Sequence, residues 1–181
     1  MTSYVALLRG INVSGRNAIR MSALRDSIAR LGFRDVRTYL QSGNIVFRTD
    51  STDTATLAAA IKTQIVQDFG HEVPVLVLST EDLALIANSN PLGPKSGGEE
   101  TLFHCTFLFQ PVAPDIFQAL KLPTHDGERA VLVERAVFLH CPHGYGKTKL
   151  NNSYFERTLG VPATTRNWRT VLALQAACSA A

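Results

Sequence analysis

The feature that most constrains the fold is the order of periodicities in the first eighty residues, which runs strand, helix, strand, strand, helix, strand. Tyr4 to Leu8 is a short apolar run suited to a buried strand, followed by the loop RGINVSGRNAIR with its two glycines. Leu24, Ile28 and Leu31 then recur at helical spacing, with Ser22 placed to cap the helix and Gly32 to close it. RTYLQ and IVFRT are β-rich stretches joined by Ser42, Gly43 and Asn44, whose small side chains suit a tight reversal. A second helix begins near Thr52 to Thr54, carries Leu57, Ile61 and Ile65 on one face, and gives way at Gly70 to the strand VPVLVLS. That order is the split βαβ, ferredoxin-like pattern, in which helices cover one face of an antiparallel sheet.

A short helix from Thr80 to about Asn88 leads into NPLGPKSGGEE, where glycine, proline and charge concentrate as they do at an internal boundary. The opening then repeats. TLFHCTFLFQ reads as a strand, PDIFQALK as a helix, and RAVLVER with AVFLHC as a hairpin around Glu134 to Ala136. A helix follows near Leu150 and another near Trp168, where the first half would place its fourth strand. The expected architecture is therefore α+β. One ferredoxin-like half spans residues 1–79, and a second with an extra C-terminal helix spans 80–181, with 88–101 as the boundary loop.

Net charge is only +3, but it is unevenly spread along the chain. Residues 1–37 hold seven arginines against Asp26 and Asp35, and residues 144–170 hold five cations against Glu156, while the stretch between them is acidic. Two basic segments on one face would make the electrostatic footprint of a phosphate-bearing partner; on separate helix faces they would merely be solvated. No apolar run approaches membrane-spanning length, and the first thirty residues lack the layout of a secretory signal. Cys105, Cys141 and Cys178 are an odd set without CxxC spacing, as reduced thiols would be, so the expected compartment is the cytoplasm.

LLRGINV from Leu7 to Val13, YLQSGN from Tyr39 to Asn44, and GYGKTKLNNSYFERTLGVPATTRNWRT from Gly144 to Thr170 resemble the bacterial domain-of-unknown-function family 1697. The resemblance runs nearly the full length, with three separated motifs in one order; Ser14 stands where glycine is usual. It implies an α+β fold with ferredoxin-like elements. It implies no activity, cofactor or catalytic residue.

The candidate ligand-binding residues lie in these motifs. Arg9 and Asn12 follow the first strand: Arg9 offers a planar fork of donors, while Gly10 and Gly15 let backbone amides approach an anion. Arg9 could equally tie down a neighbouring loop, and Asn12 could hold a turn. Gln41 and Asn44 face the same choice, since SGN is good hairpin chemistry without any ligand. Lys147 and Lys149 precede a helix whose N-terminus would join them in an anion site, and Asn151 or Asn152 could cap that helix instead. In TTRNWR, Arg166 and Asn167 carry donors beyond what one cap requires, and Trp168 could stack on a base if exposed or fill the core if not.

Three other chemistries are disfavoured. A phosphate-binding P-loop would need glycine where Cys141 stands, and Pro142 removes a backbone donor. The pairs His104 with Cys105 and His140 with Cys141 could surround zinc only if strand neighbours faced the same way, and they alternate. Neither paired carboxylates nor a nucleophile with its base stands out. No cofactor or metal is expected. The function expected is binding of a phosphate-bearing ligand, nucleic acid or nucleotide, on a basic face built from the N- and C-terminal segments. The alternatives are a small-molecule enzyme of unknown reaction, marked by a concave pocket holding Arg9 and Lys147, and a protein-interaction module, marked by a flat apolar patch around Trp168.

Overall fold

The computed structural model describes residues 1–93 and 99–179, so the centre of the predicted boundary loop lies outside the described residues. The chain divides into two compact units. The first comprises Met1–Leu85 together with the stretch from Leu174 onward, and the second comprises Ile86–Ala173.

In the first unit the expected order appears as β1 (Thr2–Leu8), α1 (Met21–Ala29), β2 (Arg34–Tyr39), β3 (Asn44–Thr49), α2 (Thr54–Phe69) and β4 (Val75–Ser79). The sheet order is β2-β3-β1-β4, antiparallel throughout, with Tyr4 opposite Phe47 and Ala6 opposite Val77. Strand alternation sends Tyr4, Ala6 and Leu8 to the helical side. There they pack with Ile45, Phe47, Val75 and Val77, with Leu24 and Ile28 of α1, and with Leu57, Ile61 and Ile65 of α2. Each large side chain so buried contributes about 2 kcal/mol. The buried Ser27 hydroxyl and the Arg30 guanidinium both donate to Asp68, fastening α1 to α2.

Local chemistry explains the ends of these helices. Asp53 caps α2 by accepting from the Ala55 amide at 3.0 Å, and Gly70 closes it in the left-handed conformation at φ 68°. Ser22 does not cap α1: the helix begins one residue earlier, Arg20 holds the cap position, and no side chain accepts there. A third helix, α3 (Thr80–Asn88), leaves β4 without a connecting loop.

The second unit repeats this plan as β5 (Phe103–Leu108), α4 (Pro114–Gln118), β6 (Arg129–Val133), β7 (Ala136–His140), α5 (Asn152–Leu159) and β8 (Ala163–Asn167), in sheet order β6-β7-β5-β8. Its core gathers Leu108, Phe117, Val137, Leu139, Leu150, Phe155 and Ala163. Here the structure adds a strand. ATTRN is the fourth strand rather than a loop before a helix, paired antiparallel to β5 with Thr106 opposite Thr165 and their hydroxyls 2.7 Å apart. Its polar composition hides it from a hydrophobic pattern, although β-branched threonines suit a strand. The last helix, α6 (Trp168–Ser179), leaves β8 directly, as α3 leaves β4, so the repeat extends one helix beyond the ferredoxin-like pattern. No helix among the described residues is long and apolar enough to cross a membrane.

Candidate functional site

In the first unit, the candidate residues after β1 and in the β2–β3 hairpin meet through the Asn12 side chain. Its amide nitrogen donates to the carbonyls of Gln41 at 2.9 Å and Ile19 at 3.1 Å, and its oxygen accepts from the Ile19 amide at 2.8 Å. Those bonds engage the whole carboxamide, so Asn12 clamps the loop to the hairpin. Asn44 is fully buried and donates to the Tyr39 carbonyl at 2.7 Å and to the Ser42 hydroxyl at 3.0 Å. Gly43 is required twice over. Its φ is 82°, and a Cβ there would sit 2.7 Å from the Ile11 side chain and 2.8 Å from Cβ of Leu8. The Arg9 amide bonds the Pro74 carbonyl at 3.0 Å, and the Arg9 residue is half-buried. Gln41 is exposed and, with Asn12, Arg20 and Ser22, borders a shallow groove of about 500 Å³ at the start of α1.

In the second unit, the segment after β7 folds as a series of short turns. Amides that a phosphate cradle would aim at its ligand are instead engaged internally: Cys141 to the Leu102 carbonyl at 2.8 Å, Gly144 to Cys141 at 3.0 Å, and Lys147 to Gly144 at 3.2 Å. A 3₁₀ turn over Tyr145–Lys147 carries the exposed Lys147. Thr148 is buried, and its hydroxyl accepts from the Leu150 amide at 3.1 Å, which turns the adjacent Lys149 outward. Asn151 is the cap of α5, its oxygen accepting from the Tyr154 amide at 3.0 Å.

Lys149 and Asn151 line one groove of about 380 Å³ together with Pro123, Thr148, Ser153, Tyr154 and Arg157. Among the described residues no carboxylate lines it. Arg157 is exposed, and its guanidinium carbon stands over the Tyr154 ring, 6.0 Å from the centroid. Ser153, Tyr154 and Arg157 are absent from the candidates the sequence suggests. The signal was present in their spacing, since Ser153 and Arg157 are four apart and therefore share a helix face just after Lys149.

The remaining candidates make contacts within the fold. Arg166 is 5% exposed, and its Nη1 donates to the Thr164 hydroxyl at 2.7 Å and to the Thr165 carbonyl at 3.0 Å. Asn167 caps α6 by accepting from the Arg169 amide at 2.9 Å, and it donates to the Thr101 carbonyl at 3.3 Å. Trp168, also 5% exposed, meets Phe138 edge to face at 6.0 Å, so it offers no ring face to a base and no surface patch to a partner.

His104 and Cys105 alternate in β5, opposite Leu139 and Phe138, while His140 stacks on Phe103 at 4.5 Å, so the two His-Cys pairs do not converge. Among the described residues no three His, Cys, Asp or Glu side chains are arranged to hold a metal ion. Burial holds the His104 imidazole down at about 4, and its Nδ1 has no hydrogen-bond partner. Its ring stacks on Tyr145 at 4.6 Å.

The sequence profile described as "Protein of unknown function (DUF1697)" matches residues 1–138. A solved structure described as conserved bacterial protein SP0830 from Streptococcus pneumoniae is similar over 98% of both chains, with 25% sequence identity and a TM-score of 0.72. No curated protein matches the chain.

Proposed function

The chain belongs to the protein family of unknown function DUF1697, which carries no activity with it, and from the geometry of the second unit we propose that it binds a phosphate-bearing ligand, nucleotide or nucleic acid, in the groove at the start of α5. The observation that carries this reading is a difference between two equivalent helices. In the first unit α2 begins with its own anion: Asp53 accepts from the Thr56 hydroxyl and the Ala55 amide, bonds that hold its carboxyl below the usual 3.8. In the second unit the same position of the repeat is taken by neutral Asn151, with Lys149 before it and Arg157 one helical turn beyond Ser153. A helix start attracts negative charge, and two exposed cations with no lining carboxylate strengthen the attraction. An external anion would supply at α5 the negative charge that Asp53 supplies internally at α2. Lys147, two residues before Lys149, is exposed as well. The reading needs the second unit alone.

Fluorescence anisotropy tests it, with labelled single-stranded and duplex oligonucleotides titrated at about 50 and about 200 mM salt. Affinity should fall steeply with salt, and Lys149→Ala and Arg157→Ala should each weaken binding and flatten the salt dependence by about one phosphate contact. Absence of binding at the lower salt, or binding indifferent to Lys149→Ala, would refute it.

A further inference from the structure

Arg157 and Tyr154 do more than add charge to the groove. From their arrangement, and resting on the phosphate reading above, we infer that the groove takes an unpaired base of a single-stranded nucleic acid, stacked against the Arg157 guanidinium while Lys149 holds the adjoining phosphate. Tyr154 and Arg157 are three apart on α5, and the guanidinium carbon stands over the phenol ring at 6.0 Å. The ring in turn meets the buried Phe155 edge to face at 5.3 Å, and its hydroxyl lies 3.5 Å from the Lys121 carbonyl. A cation standing over a ring so held has less conformational freedom to lose when a ligand arrives than one with no such contact. Arg157 lines the groove, and planar guanidinium is among the surfaces on which bases stack.

Lys149 is different in kind. It is an exposed point charge on a flexible stem, beside the Asn151 cap and the Ser153 hydroxyl, and suits the rotating oxygens of a phosphodiester. Pro123 also lines the groove, which is open rather than enclosed, as a strand passing through requires. A duplex would keep its bases stacked on one another and present only phosphates here.

The wild-type protein and two probes suffice for the test, so no variant needs to fold. Fluorescein-labelled oligothymidylate of about twelve nucleotides and an abasic phosphodiester of equal length and label are titrated by anisotropy. The base-bearing strand should bind about tenfold tighter than the abasic one, and tighter than the corresponding duplex. Arg157→Lys, which keeps the charge and removes the plane, should narrow that gap toward parity. Equal affinity for the two strands, with both still salt-dependent, would overturn base stacking and leave the phosphate reading standing. Binding of neither probe would remove both. Displacement of the strand by free thymidine 5′-phosphate at similar concentration would overturn a strand in favour of a free nucleotide.

Discussion

Lowering the pH from 7.5 to 5 should destabilise the second unit through one side chain, His104. Its imidazole is 7% exposed, its Nδ1 has no partner, and burial sets its proton affinity at about 4 instead of the ordinary 6.5. The folded value lies below the unfolded one, so between the two it is the unfolded chain that takes up the proton. Stability is therefore complete above 6.5 and declines as pH falls toward 4. Between those limits the imidazole costs about 2 kcal/mol at pH 5, rising to about 3 kcal/mol below pH 4. Asp53 and Asp68, both held below their usual 3.8 by hydrogen bonds, act in the same direction at lower pH and leave this window clear. The assay is urea unfolding followed by tryptophan fluorescence. The sole tryptophan, Trp168, is buried against Phe138 in the unit that contains His104. With a urea slope of about 2 kcal/mol per molar, the midpoint should drop by about 1 M between the two pH values. His104→Phe keeps a ring to stack on Tyr145 and cannot titrate, so its midpoint should move by about 1 M less. Equal shifts in the two proteins would refute the assignment to His104.

Other expected outcomes follow from the same geometry. Asn151→Asp places in α5 the carboxylate that α2 already has, so thermal melting should show an unchanged or slightly more stable fold while oligonucleotide affinity drops at least about tenfold; undiminished binding would detach the groove from the function. Gly43→Ala should cost about 3 kcal/mol in urea unfolding, since the added Cβ meets Ile11 and Leu8 at a left-handed φ; a cost under about 1 kcal/mol would show that the hairpin relaxes freely. All three cysteines are buried, with Cys141 pushed up to about 11 and Cys105 and Cys178 also raised by burial, so a thiol reagent at neutral pH should label none in the native protein and all in urea. Rapid native labelling of any of them would contradict that burial.

How far the sequence could be read depended on which physical signal each segment carries. The first unit was legible because β1, β3 and β4 hold apolar runs, the polar β2 adjoins a turn sequence, and its helices carry periodic leucines and isoleucines, signals that survive without tertiary context. Strand β8 was not, because Ala163–Asn167 earns its place through pairing with β5 and the contact between Thr106 and Thr165, neither of which leaves a local trace. Among the candidate residues, the types were evident but the partners were not. Asn12, Asn44 and Asn167 each admit a turn or cap reading beside a ligand one, and the structure places each in hydrogen bonds that hold the backbone. Arg166 and Trp168 sit in a stretch rich in donors, yet the strand-to-helix junction buries both. Arg157 counted in the sequence only as one of the five cations of residues 144–170, because the ring that it stands over is a tertiary detail.

The division of the chain has a consequence for its synthesis. The first unit is discontinuous: residues up to Leu85 emerge first, yet it is completed only by the stretch from Leu174, whose Ala177 carbonyl accepts from Arg37 at 3.4 Å. The second unit is encoded without interruption between those two parts. A ribosome working from the N-terminus therefore releases everything the second unit needs before it delivers the last piece of the first. The part of the protein that is made earliest therefore meets its last piece only after the whole second unit has emerged.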